Sequence, residues 1–96
     1  MANQTAMQVM KVLHKQANPT ATKRGTPEIE ARRLEKSRLL ALNNAAALVV
    51  QLNHSAAETD GVAVQRLTDD AQIMLDAAAG FQELIDDIPN GRRLAA

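Results

Sequence analysis

Eight apolar residues in the second half of the chain constrain the fold more than any other feature. Val64, Leu67, Ala71, Met74, Ala78, Phe81, Ile85 and Ile88 follow one another in steps of 3, 4, 3, 4, 3, 4 and 3. This spacing keeps one face of an α-helix apolar for more than three heptads. The residues between them on the opposite face (Gln65, Asp69, Gln72, Asp76, Glu83, Asp87) are all polar. A strand alternates with a period of two and cannot carry this pattern. The chain is therefore read as all-α.

A second helix precedes this one. Thr26 suits the N-cap, Pro27 the first helical position, and Glu28 and Glu30 the positive end of the helix dipole. Apolar or small residues recur from Ala31 to Leu52, but Leu39, Leu42, Ala46, Val49 and Val50 lie to one side of the main row. The apolar arc covers about half the circumference, and an arc that wide needs more than one neighbour. The break falls within Ser55–Gly61, where Asp60-Gly61 is a turn pair and Thr59 or Asp60 suits the next N-cap. Pro89-Asn90-Gly91 ends the second helix, with Arg92 and Arg93 near the negative pole of its dipole. The expected architecture is an antiparallel helical hairpin, about 27–57 and 62–88. A flexible or short-helical arm and linker (1–26) precedes it and a C-terminal tail (90–96) follows.

A two-helix hairpin buries only the stripe its helices share, and Ile73, Ala77 and Leu84 lie outside it. Hairpins of this size are close to the limit of independent stability. A second copy forming a four-helix bundle, the N-terminal segment folding over as a third helix, or a different protein would cover the surplus. The commonness of two-fold homodimers favours the first.

The N-terminal segment carries Met7, Met10 and Leu13 on a helix of about twelve residues, marginal in isolation. It reads as a docking or swapping arm, or as a short helix that enters a partner's groove. Methionines suit an adaptable contact there.

A formal net charge of +0 conceals a division. Up to Arg38 there are eight cations and three acids; from Leu39 onward there are three cations and eight acids. In an antiparallel hairpin Arg32, Arg33, Lys36 and Arg38 would face Glu83, Asp86 and Asp87, fixing register within or between chains. The competing reading is nucleic-acid binding, with Lys23, Arg24, Arg32, Arg33 and Lys36 tracking phosphates. Zero net charge and a single aromatic residue, Phe81, weigh against it.

Other chemistries find little support. The absence of cysteine removes disulfides, thiolate catalysis and cysteine-based metal sites. His54 and Glu58 share a helix face, but two ligands make a weak metal site. Carboxylates on an amphipathic helix's outer face are solvating groups unless a cleft separates their pKa values. Ser37 and Ser55 have no base that the sequence places beside them. No glycine-rich phosphate loop, membrane-spanning run or secretory signal is recognisable. No cofactor, metal or catalysis is expected, and the expected location is cytoplasmic. The expected function is a non-catalytic protein–protein interaction module: an adaptor, an inhibitor or a chaperone-like regulator acting as a homodimer. Its binding residues are expected among Met7, Met10, Leu13, Leu39, Leu40, Val50, Asp69, Asp76 and Glu83.

Overall fold

The computed structural model describes residues 4–21, 23–56 and 61–88. They form three helices: α1 (Gln4–Ala17), α2 (Pro27–Ala56) and α3 (Gly61–Asp86). The expectation of two long helices with an arm is thereby corrected. The N-terminal segment is a helix of 14 residues that packs against both α2 and α3. Glu58, Thr59, Asp60 and the Pro89–Ala96 tail, to which a ligand, a cap and a helix stop were assigned, lie outside the described residues.

The start of α2 follows its local chemistry. The Ile29 N–H donates to the Thr26 hydroxyl at 3.3 Å, and the Glu30 N–H donates to the Thr26 carbonyl at 2.9 Å. The Gly25 N–H donates to Glu30 Oε1 at 2.8 Å, a variant of the capping box reaching one residue further out. Arg33 Nη1 donates to that same Glu30 oxygen and to the Lys23 carbonyl, both at 2.8 Å. Cap, carboxylate and guanidinium together tie the connecting loop to the first turns of α2.

The core is built from small side chains. Leu13, Ala41, Ala77, Ala78 and Phe81 form its buried cluster, and Val9, Met10, Leu34 and Met74 are among the residues packed against it. Alanines at the crossings let helix axes approach closely but contribute little buried area each. Phe81 is therefore the principal apolar mass, and α1 supplies Leu13 beside it.

Direction follows from the contacts. His14 meets Ser37 while Asn18 reaches the Arg33 carbonyl, so α1 runs antiparallel to α2. Gly80 of α3 lies under Met10: a Cβ there would come within 2.6 Å of the Met10 Sδ. A glycine inside a helix costs about 1 kcal/mol relative to alanine, and here it makes room for α1.

The ion pairs also depart from expectation. Arg33 pairs with Glu30 and Arg38 with Glu35, both three residues apart within α2. Among the described residues, no ion pair links the basic start of α2 to Glu83, Asp86 or Asp87 of α3.

Candidate functional site

Two surfaces stand out once the core is closed. The first is a groove of about 600 Å³ between α1 and α3. Met7, Met10, Lys11 and His14 form its α1 wall, and Gly80, Glu83 and Leu84 its α3 wall. Leu34 and Phe81 also line it.

His14 is held at this groove by a polar cluster. Its Nδ1 lies 2.8 Å from the Ser37 hydroxyl, which itself donates to the Arg33 carbonyl at 2.9 Å. The Asn18 amide donates to the carbonyls of His14 and Arg33, at 3.0 and 3.2 Å, and more weakly to the Ser37 hydroxyl at 3.4 Å. With its one proton on Arg33, the Ser37 oxygen accepts from His14 Nδ1–H. When the imidazole is neutral its lone pair is then on Nε2, for which no described residue is a partner. Phe81 fixes the ring from another side, with centroids 6.2 Å apart and planes at 29°.

The second surface is the far side of α2. Leu39, Ala46, Val49 and Val50 lie between about 120° and 220° around the helix from Ser37, at 100° per residue, and are exposed, whereas Leu42, at about 140°, is half-buried against the core cluster. Ser37 points to α1, so this stripe faces away from it.

The residues singled out in the sequence divide among these surfaces and the core. Met7 is exposed and Met10 half-buried on the groove wall, whereas Leu13 is buried in the core and offers nothing to a partner. Leu40 packs against the core cluster, while Leu39 and Val50 are exposed. Asp69 and Glu83 are exposed and Asp76 is half-buried. Asp69 and Asp76 accept from Gln65 and Gln72, one turn earlier, at 2.8 and 2.9 Å. Those carboxylates form a hydrated face, with only Glu83 reaching the groove.

Of the basic set, Lys23, Arg24, Arg32 and Lys36 are exposed, and Arg33 is engaged by the loop and Glu30. Arg32, Arg33 and Lys36 border a shallow cavity of about 300 Å³ beneath the Asn18–Ala21 turn. Three further carboxyls are perturbed. Backbone donation from Gly25 holds Glu30 below the usual carboxylate range, and a backbone N–H with the Thr26 hydroxyl does so for Glu28. The Arg38 guanidinium lowers Glu35, which in return raises Arg38.

The sequence alone points to no site role for Lys11, His14, Gly80 or Leu84. The 7, 10/11, 14 spacing places Met7, Met10, Lys11 and His14 on one helix face, and an interior glycine signals a close approach. Among the described residues no cluster of three or more metal-ligating side chains occurs, and no helix is long and apolar enough to cross a membrane. Comparison with protein-family models, with curated proteins and with solved structures yields no match.

Proposed function

We propose that this protein is a non-catalytic helical interaction module that acts as a homodimer through the outer face of α2. The observation that carries this reading is the stripe left over when three helices have closed the core. Leu39 remains 47% exposed, Val49 44% and Val50 57%.

The stripe is complementary to itself. Packed antiparallel about a point midway between Leu42 and Ala46, it sets Leu39 opposite the partner's Val49 and brings the exposed Ala46 close to the axis. The same apolar patch then serves both copies, as an isologous contact requires. At its N-terminal end Glu35 and Arg38 pair with each other, which avoids burying a lone charge. An adaptor, an inhibitor or a chaperone-like regulator is compatible with such a dimer.

The nucleic-acid reading draws on fewer cations than the sequence offered. The Arg33 guanidinium is committed to Lys23 and Glu30, leaving Lys23, Arg24, Arg32 and Lys36 for phosphates.

Light scattering after size-exclusion chromatography at tens of micromolar tests the dimer. The expected mass is twice that of the 10.4 kDa chain, and Val50→Glu is expected to give a monomer of unchanged helicity. A monomeric native chain overturns the reading. Salt-sensitive binding to a short DNA or RNA duplex, lost in Arg32→Gln, would favour the nucleic-acid alternative.

A further inference from the structure

The groove between α1 and α3 is separate from the α2 stripe. None of Leu39, Ala46, Val49 and Val50 is among the residues that line the groove. Its α1 wall is an i, i+3, i+4, i+7 row (Met7, Met10, Lys11, His14) and its α3 wall an i, i+3, i+4 row (Gly80, Glu83, Leu84). Each wall therefore runs along its helix for one to two turns, roughly 5–10 Å.

The geometry points to a docking site for one short amphipathic helix of another protein, seated between α1 and α3 as a fourth helix. Three features of the groove specify that occupant. Its length along the walls matches apolar anchors at i, i+3 or i+4, and i+7, the pattern by which helices enter grooves. Met7 and Met10 are flexible and adapt to the anchors they meet. The two rims also carry opposite charges, Lys11 on α1 and Glu83 on α3. A helix with acids along one edge of its apolar stripe and bases along the other satisfies both rims. A fatty acid or similar apolar anion would find Lys11 but also meet Glu83 across the same opening.

His14 adds a selective contact. With Nδ1–H donated to Ser37, the Nε2 of the neutral ring presents an acceptor beside Met7 and Met10. A tryptophan N–H or tyrosine O–H on one anchor pairs with it and buries an aromatic body beside Phe81. This proposal does not depend on the dimer, because the groove and the α2 stripe share no residue.

The test uses the full chain with isotope-labelled methionine methyl groups. The probes are three designed helical peptides of about 15 residues, a length near the lower limit for an isolated helix. All carry a Leu-Trp-Leu stripe. One has a glutamate edge and a lysine edge, one has glutamate on both edges, and one has lysine on both. The mixed-edge peptide is expected to shift the Met7 and Met10 methyl resonances more than that of Met74. It should also bind about threefold or more tightly than either single-charge peptide. Lys11→Glu makes both rims acidic and is expected to turn the preference toward the lysine-edged peptide. Leu84→Glu abolishes binding, and Val50→Glu leaves it intact. Equal affinity for the three peptides, or no response at Met7 and Met10, overturns the proposal. So does a response of those methyls to dodecanoate but to none of the peptides, which would identify a small-molecule pocket instead.

Discussion

His14 on α1 and Ser37 on α2 meet at 2.8 Å across 23 residues of chain. Ser37 is fully buried, and its hydroxyl bonds in three directions, to His14, Asn18 and Arg33. The contact is the polar fastening between the N-terminal helix and the rest of the fold. Ser37→Ala leaves the His14 N–H and part of the Asn18 amide without their acceptor. The expected loss is about 1–3 kcal/mol, measured by urea unfolding. Combining it with His14→Leu removes donor and acceptor together and is expected to recover part of that loss. A Ser37→Ala variant as stable as the native chain would show that the fastening contributes nothing.

The same hydrogen bonds place a proton on His14 Nδ1. Because the Ser37 proton goes to the Arg33 carbonyl, His14 is expected as the Nδ1–H tautomer. Nitrogen-15 chemical shifts of the imidazole distinguish the tautomers directly. A ring protonated on Nε2 would reverse the assignment and remove the acceptor offered to the groove.

Gly80 and Met10 make a second pair whose energetics can be separated. Gly80→Ala gains about 1 kcal/mol of helix propensity but places a methyl group where the Met10 thioether lies. The gain is expected to be largely offset in the native background and recovered when Met10 is alanine. A double-mutant cycle measures the difference. Equal effects of Gly80→Ala in both backgrounds would mean that the close approach carries no energy.

Acid should loosen the start of α2. Hydrogen bonds hold the Glu28, Glu30 and Glu35 carboxyls below their usual range. A carboxyl lowered in the folded state stabilises it fully above the unfolded value, about 4.3 for glutamate. That contribution is lost as pH falls through the folded value. The midpoint of thermal unfolding, followed by circular dichroism, is therefore expected to drop as pH is taken from about 5 to 3. Glu30→Gln should flatten the slope, and an unchanged slope in that variant would contradict the account.

Local chemistry was the legible part of the sequence. Thr26, Pro27 and Glu30 act within a few residues of one another, and the cap they form was readable from their order. The 3–4 stripe of α3 was equally plain because helical periodicity is a local property. The role of α1 was not, since a helix of this length owes its stability to what it packs against. That surface includes Ala41, Ala77 and Ala78, whose smallness reads in sequence as helix propensity rather than as a docking bed. The charge division also misled. Arg33 and Arg38 have carboxylates three residues earlier, and a partner on the same helix is met without ordering a second element. The α1–α3 groove needed the structure, because Met7 and Leu84 are brought together only by the docking of α1.

Amide hydrogen exchange along α1 tests the closed three-helix core most directly. If α1 completes the core, the amides of Met10 through His14 exchange only with the unfolding that also exposes Ala78 and Phe81. Their protection free energies then match those of the centre of α3. Rapid exchange of α1 while α2 and α3 stay protected would contradict the account: the hairpin would stand without its third helix.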